Sequence, residues 1–474
     1  MDIGRKSTLF LAFAYEFDHD GESQLIRSEV WKKREIKGVA LLPHLDEYVR
    51  KGELLRAYDV AGDLRAAFGG RDPWRLVDGD DASVEITITD PPRIYVLDTH
   101  YAFIVIGVAP FVKKGEELTL ATMQDVSYAL VRAGMSRVAG TSPQMTKWIE
   151  AHQPEAKEPL ILRRWLAAFV PGLRSEAPRG APRTTAPAVF SVILTKEQLG
   201  SDDRHRLRLV HRSDQYVEPA GVTGDDTGEW SISHRELCLF STFGVSWVVT
   251  TDDAEPSSKF LNDAPSMIRD RYVYKWLLVE HQRLCLLSLA TECADMSKGI
   301  DSSNFAEMRM RLLMFMATYN FRHVSNEERH DRFYKRVRDA LSIDDLLAEV
   351  RDEVVEIDTQ LAARRAELLN HVLAFLTLVL TPVGIVCGVF QTDTVPGQLR
   401  FHNFVSASSW LHLITHAPFL VVLAAALTGA TIYVRIFGAR VIANLLRQLF
   451  KSKKKAAAER TEAPSSSVLF RKQR

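Results

Sequence analysis

An uncharged run of 23 residues near the C-terminus, 368–390, constrains this chain more than any other feature. A helix of that length, rising 1.5 Å per residue, crosses a hydrocarbon core of about 30 Å. A second uncharged run of 18 residues, 417–434, extends upstream through Leu411. The sequence therefore predicts two membrane-spanning helices, 368–390 and 411–437, joined by an extracytoplasmic loop, 391–410. The alternative is that both runs are buried core helices.

Basic residues set the predicted orientation of these spans. The 40 residues after Val434 carry 11 Lys and Arg against Glu459 and Glu462, and such an excess marks the cytoplasmic side. The tail 438–474 is therefore predicted to be cytoplasmic, and two spans return the N-terminal region to the same side. We predict a multi-pass protein of the plasma membrane, the inner membrane in a bacterium, with both termini cytoplasmic.

Composition excludes several other classes. Lys and Arg number 60 and Asp and Glu also number 60, so no overall positive charge favours nucleic acid as a partner. The four cysteines form no CxxC pair, which argues against a disulfide framework or a structural zinc site. Phosphate-binding glycine motifs and a nucleophile–base constellation are both missing from the sequence. We therefore expect a protein that is not an enzyme and has no organic cofactor.

Hydrophobic patterning divides the rest of the chain into regions. Residues 1–172 alternate strand-like and helical runs, 173–188 form a linker or exposed loop, 189–264 are a second α/β part, and 265–367 are a helical stalk. The predicted fold class is thus an α+β cytoplasmic domain followed by long stalk helices and the two C-terminal spans. Local predictions include strands at 9–15, 84–89, 94–108, 188–195, 207–211 and 237–251, helices at 42–64 and 118–133, and stalk helices at 265–296, 304–321 and from about 327.

Two patterns mark the last stalk helix. Apolar residues recur at heptad spacing, which predicts packing against other helices along the stalk, expected to be copies of the same chain. The members of this heptad stripe are Leu347, Val350, Val354, Ile357, Leu361 and Leu368. The same helix carries many carboxylates, which either bind a divalent cation or form a solvated face. These acids are Asp344, Asp345, Glu349, Asp352, Glu353, Glu356 and Asp358.

The first predicted span has one polar or small face. At 3.6 residues per turn this face comprises Asn370, Thr377, Thr381, Gly384 and Gly388. Such a face either lines a water-filled pore or allows close helix packing. Gln391, Thr392 and Asp393 follow at the predicted outer end, where an oligomer would form a ring of carboxylates that attracts cations.

Three stretches resemble the CorA-like family of divalent-cation transporters. They are HVSNEERHDRFYKRVRDALSIDDLLAEV at 323–350, RAELLNHVLAFLT at 365–377 and TPVGIVCGVFQTD at 381–393. The likeness extends over about 272–440. Gln391, Thr392 and Asp393 stand where that family has Gly-Met-Asn.

The resemblance implies a funnel-shaped homopentamer in the bilayer, with a central pore lined by the first span and the second span outside it. It implies movement of divalent metal ions such as Mg²⁺ or Zn²⁺ down their electrochemical gradient. The divalent cation is then the transported or the regulatory ion. The changed residues at the mouth leave open which ion is carried, and no individual metal ligand is identified.

Other patterns support different hypotheses. In RHRLRLVHR, Arg204, Arg206 and Arg208 would share one face of a strand. They either bind a small anionic ligand, such as a nucleotide, or guard a solvated edge strand. The first interpretation favours a signal-gated membrane effector that disturbs ion balance, and a non-conducting membrane receptor is a further alternative. His412 and His416 form an i,i+4 pair that could bind zinc or sense pH.

Overall fold

The computed structural model describes most of the chain up to Gln391. The described residues are 3–4, 6–17, 21–36, 40–52, 54–69, 72–78, 82–97, 101–113, 115–132, 137–152, 161–173, 187–208, 228–242, 244–251, 259–297, 302–391 and 431. They fall into two compact units, Met1–Ile357 and Asp358–Arg474.

The first unit is built around one mixed sheet. Its strands, in chain order, are β1 (Thr8–Glu16), β2 (Trp31–Arg34), β3 (Leu55–Val60), β4 (Trp74–Asp78), β5 (Ala82–Leu97), β6 (Tyr101–Pro110), β7 (Arg137–Gly140), β8 (Ala188–Thr195), β9 (Glu229–Ser233), β10 (Glu236–Ser241) and β11 (Gly244–Thr250). The order across the sheet is β2-β3-β5-β6-β1-β8-β11-β10-β9, and β4 joins β5 to β7. Because β1 pairs with β8, strands from before residue 172 and after residue 189 share this sheet.

The helices, again in chain order, lie between and after these strands. They are α1 (Gly21–Arg27), α2 (Pro43–Lys51), α3 (Gly62–Phe68), α4 (Leu120–Arg132), α5 (Pro143–His152), α6 (Leu162–Ala168), α7 (Ser201–Arg208), α8 (Lys259–Ile268), α9 (Tyr274–Ser297), α10 (Ser302–Thr318), α11 (Glu328–Ala340) and α12 (Ile343–Gln391). A π-helical turn, Arg269–Val273, joins α8 to α9.

Both faces of the sheet are covered, because successive side chains of a strand point to opposite faces. Leu9 and Phe13 of β1 belong to the core cluster that contains Trp165 of α6. The intervening Phe10 lies beside Phe190 of β8, with 6.4 Å between ring centroids. Phe190 in turn contacts Trp276 of α9 at 5.7 Å. A near-continuous apolar strand in the middle of the sheet therefore anchors helices on either side.

Three local predictions are wrong. The predicted strand at 94–108 covers two antiparallel strands, the end of β5 and most of β6. Within the predicted helix 42–64, only the beginning and end are helical, since α2 ends at Gly52 in the left-handed conformation (φ 75°) and Leu55–Val60 is strand β3. The predicted strand at 207–211 begins inside helix α7. In these last two segments the apolar spacing is compatible with either structure, and pairing or capping decides between them.

The heptad stripe is buried where it lies in the first unit. Leu347, Val350, Val354 and Ile357 of α12 are each at most 8% exposed in a single chain. These residues are therefore already covered by other residues of the same chain, which weakens them as a reason for contact between copies. The homo-oligomer, and the pentamer in particular, stays a prediction.

The predicted fold with two membrane spans is contradicted by the part of the chain that the structure describes. No helix among the residues that the structure describes is long and apolar enough to cross a bilayer. This finding overturns the two-span fold class with its funnel-shaped architecture, the assignment as a membrane channel and the multi-pass plasma-membrane location. The run 368–390 is the end of α12, which begins at Ile343, and 411–437 lies outside the described residues apart from Thr431. Leu369 and Leu373 in this run are 60% and 58% exposed, so the alternative of a buried core helix does not hold for its described part either.

Candidate functional site: a basic pocket at one end of the sheet

The candidate site lies where the parallel strands β8 and β11 end. Their last residues, Thr195 and Thr250, are partners in register. The antiparallel neighbours turn at the same edge, because β9 ends at Ser233 and β10 begins at Glu236. Carboxyl ends of adjacent parallel strands are a common place for ligand crevices in α/β sheets.

A cavity of about 320 Å³ lies at this edge. Its volume is within the range of pockets that hold small molecules. The lining residues are Gln198, Leu199, Arg204, Ser231, Ser233, His234, Arg235, Glu236, Leu237, Val248 and Thr250. The wall therefore combines two guanidinium groups, an imidazole, hydroxyls and an amide with a small apolar patch.

Arg204 comes from helix α7, which follows β8 closely. Its Nε donates a hydrogen bond to the backbone oxygen of Leu199 at 3.2 Å, which orients the guanidinium along the wall. Its Nη1 lies 3.7 Å from a carboxylate oxygen of Glu229, and 41% of the side chain is exposed. That separation and exposure make the ion pair weak, so the guanidinium can take a second anionic partner.

The β9–β10 turn is fixed against β11 by backbone hydrogen bonds. The amide of Thr250 donates to the carbonyl of Arg235 at 2.8 Å. The amide of Arg235 donates to the hydroxyl of Ser233 at 3.2 Å. His234 and Arg235 are therefore held at the mouth of the pocket by the sheet itself.

Glu236 is the acidic member of the lining. Its side chain is 8% exposed, and it accepts a hydrogen bond from Nη2 of Arg329 at 2.6 Å. Arg329 belongs to α11, and its guanidinium also lies 5.6 Å from the ring centre of Trp247. Because Arg329 pairs with Glu236, the other charged side chains of the lining are the guanidinium groups of Arg204 and Arg235.

This arrangement suits an anion with several oxygens. Guanidinium groups bind phosphate and carboxylate oxygens through paired donors, and the hydroxyls of Ser231, Ser233 and Thr250 add neutral donors. The apolar contacts offered by Leu199, Leu237 and Val248 suit a carbon-containing part of a ligand. The pocket can therefore bind and orient a small anion.

A second polar cluster surrounds Lys275 at the start of α9. The ammonium donates to the backbone oxygen of Arg271 at 2.9 Å and lies 3.1 Å from Nδ1 of His330. Nε2 of His330 is 3.3 Å from a carboxylate oxygen of Glu327, and its ring stacks on Tyr272 at 4.6 Å. Burial lowers the pKa of Lys275 to about 7, and burial together with the Lys275 charge lowers the pKa of His330 to about 3. Lys275 is completely buried, so this cluster can influence stability but is not open to a substrate.

The structure brings one of the three arginines predicted to bind an anion to the pocket. Arg204 lines the pocket, as a ligand-binding role requires. Arg206 and Arg208 share helix α7 with it rather than a strand, so their backbone positions, i+2 and i+4, do not form the predicted single face. At helical spacing only Arg208 lies on the side of Arg204.

The predicted pore face belongs to α12. Asn370, Thr377 and Thr381 are exposed, and Gly384 and Gly388 lie on the same helix. Gln391 is its last residue, whereas Thr392, Asp393, His412 and His416 lie outside the described residues. Nothing in the described structure tests transport or the pore-lining role of these residues, and both stay predictions.

The acidic residues of α12 show no metal-binding arrangement. Oδ1 of Asp344 accepts a hydrogen bond from Nη2 of Arg338 at 2.5 Å. Most of the other predicted acids of α12 that lie in the first unit are exposed. Across the described parts of the chain, no group of three or more His, Cys, Asp or Glu residues could hold a metal ion. A regulatory divalent cation stays a prediction.

Sequence reasoning missed most of the pocket. Ser231 and Ser233 alternate along β9, and His234 and Arg235 follow immediately, which is a detectable run of polar side chains on one strand face and its turn. The sequence does not show that this run faces Arg204, about 30 positions earlier. Comparison with other proteins adds no candidate: no family model matches the chain, and no curated protein matches it significantly. The resemblance to the CorA-like family therefore stays a prediction.

Proposed function

We propose that this protein is a binding module for a small anionic ligand that carries phosphate, held in the pocket at the ends of β8 and β11. The observation that carries the proposal is that the guanidinium groups of Arg204 and Arg235 line a cavity of about 320 Å³ together with several hydroxyl groups. The proposal retains the small anionic ligand predicted from Arg204 and does not require a membrane.

Geometry favours a ligand larger than a single inorganic ion. Arg204 enters from α7, while His234 and Arg235 enter from the β9–β10 turn, so the basic groups come from two separate walls. A ligand with one phosphate and an attached organic part can contact both walls. Its phosphate would face the guanidinium groups and its less polar part would face Leu237 and Val248.

The test is direct binding to the full chain. Isothermal titration calorimetry would use inorganic phosphate, adenosine monophosphate and, as an uncharged control, adenosine. We expect saturable binding of the monophosphate that weakens by about tenfold in Arg204→Gln, the loss typical of one charge-assisted hydrogen bond. Binding should also weaken as salt concentration rises, because exposed charges are screened.

A matched control separates the pocket from general charge. Arg311 lies on α10, is 52% exposed and pairs with Glu292, so Arg311→Gln removes the same charge away from the pocket. Its affinity should equal that of the wild type. If neither phosphate probe binds saturably to the wild type, or if Arg311→Gln weakens binding as much as Arg204→Gln, the proposed function is wrong.

A further inference from the structure

The ion pair between Glu229 and Arg204 joins a residue outside the lining to a residue within it. Glu229 is the first residue of β9, and its carboxylate lies 3.7 Å from Nη1 of Arg204, which lines the pocket. In the sheet Glu229 is paired with Leu239, and Ser231 is paired with Leu237. Side chains two residues apart on a strand point to the same face, so Glu229 lies on the face where Ser231 and Leu237 line the cavity.

The Arg204 guanidinium has one edge left for an anion with two oxygens. Its Nε already donates to the backbone oxygen of Leu199, so the remaining pair of parallel donors is Nη1 and Nη2. Glu229 lies at Nη1 and therefore occupies part of that edge. Because 41% of Arg204 and 35% of Glu229 are exposed, water screens the pair, and an anion can replace the carboxylate at low cost.

We propose that Glu229 is an internal competitor that lowers the affinity of the pocket for anions by occupying Arg204 in the unliganded protein. The inference rests on the proposed function, since it concerns the same cavity. A phosphate gains two charge-assisted hydrogen bonds from Arg204 only when the carboxylate leaves Nη1. The free energy of the lost ion pair is then subtracted from that of the new bonds. Glu229 is thus a residue that sets affinity through Arg204.

Competition and simple repulsion predict opposite signs for the coupling between these two residues. If the carboxylate competes, Arg204 contributes more to binding once Glu229 is removed, because no ion pair has to be broken first. If the carboxylate only repels the ligand through space, Arg204 contributes more while Glu229 is present, because the guanidinium also masks that charge. A double-mutant cycle therefore distinguishes the two mechanisms.

The experiment is calorimetry of the full chain with adenosine monophosphate. Glu229→Gln is expected to bind about threefold more tightly than the wild type, the size expected for an exposed ion pair. Arg204→Gln, with its loss of about tenfold in the wild type, should lose about thirtyfold in the Glu229→Gln background. The double variant should therefore bind like Arg204→Gln alone. Glutamine keeps the size of Glu229, which begins the edge strand β9, so the variant retains the fold.

Asp202 of α7 offers a matched control. It lies two residues before Arg204, is exposed and does not belong to the lining of the pocket. Asp202→Asn removes the same charge near the pocket without releasing the guanidinium. Its affinity should differ from that of the wild type by less than about twofold.

Three results would overturn the inference. They are a Glu229→Gln variant that binds no more tightly than the wild type, an Asp202→Asn variant that gains as much as Glu229→Gln, and a loss from Arg204→Gln that is as large or larger with Glu229 present. Each of them leaves the proposed function intact as long as the wild type binds the monophosphate saturably. If the wild type binds neither phosphate probe, the proposed function and the inference are both wrong.

Discussion

Replacing Lys275 by methionine is expected to change how the stability of this protein depends on pH. The ammonium is buried between the backbone oxygen of Arg271 and the ring of His330. Other charged or titratable groups around it are Arg271, Glu327, Tyr272 and Tyr274. Burial lowers the pKa of Lys275 from 10.5 to about 7 in the folded state. Methionine has a similar length and does not titrate.

The sign follows from proton binding in the two states. Between the folded pKa, about 7, and the unfolded value, 10.5, the unfolded chain binds more protons, so the free energy of unfolding rises with pH. Below the folded pKa the cost of burying the charge is present in full and constant. From pH 6 to pH 9 the wild type should therefore gain about 2–3 kcal/mol relative to Lys275→Met, given 1.36 kcal/mol per pKa unit. The lost hydrogen bonds lower the stability of the variant by an amount that does not change over this range.

Chemical denaturation followed by tryptophan fluorescence at pH 6, 7, 8 and 9 measures this difference. His330, with its pKa lowered from 6.5 to about 3 mainly by burial, stays neutral in the folded protein throughout, and its titration in the unfolded chain is common to the wild type and the variant and cancels in their difference. Lys335→Met is the control, because that side chain is 46% exposed, and its difference from the wild type should stay constant with pH. A constant difference for Lys275→Met as well would refute the assignment of a low pKa to the buried amine.

Two further predictions concern the core. Trp165 is 1% exposed and lies 5.2 Å from Trp74, so Trp165→Ala should lower the free energy of unfolding by about 3–5 kcal/mol in denaturant titrations; a loss below 1 kcal/mol would contradict the packing. Gly172 has φ 79°, and an added Cβ would lie 2.2 Å from Cα of Gly21. Gly172→Ala should therefore lower the thermal midpoint more than Gly115→Ala, where φ is also positive but the space is empty, and equal shifts would contradict the clash.

Parts of the fold could be predicted because local pattern and final structure agree. The apolar run at 9–15 is strand β1, Thr8–Glu16, and its residues are apolar on both faces because helices cover both sides of the sheet. The long helices predicted at 265–296 and 304–321 correspond largely to α9 and α10, although the π-helical turn at Arg269–Val273 was not predicted. Such elements need little information from distant residues.

The errors arose where two structures fit the same pattern. Apolar residues from 42 to 64 occur at spacings that a helix can use, but Leu55–Val60 pairs with both β2 and β5, and pairing outweighs local preference. Gly52, in the left-handed conformation, was a stop signal that the sequence did contain. Near Arg204 the alternating arginines suggested a strand, whereas Asp202 and Asp203 in front of them are typical of a helix start.

Only the least specific feature of the candidate site, its cluster of arginines, could be predicted from the sequence. Three arginines close together suggested an anion, but any run of exposed arginines does so. What distinguishes this cavity is that Arg204 of α7 and Arg235 of the β9–β10 turn line it together. Neither residue type nor spacing reveals that the two meet, because only the packing of α7 against β10 and β11 brings their side chains to one cavity. The electrostatic sign of the pocket is therefore a property of the tertiary structure.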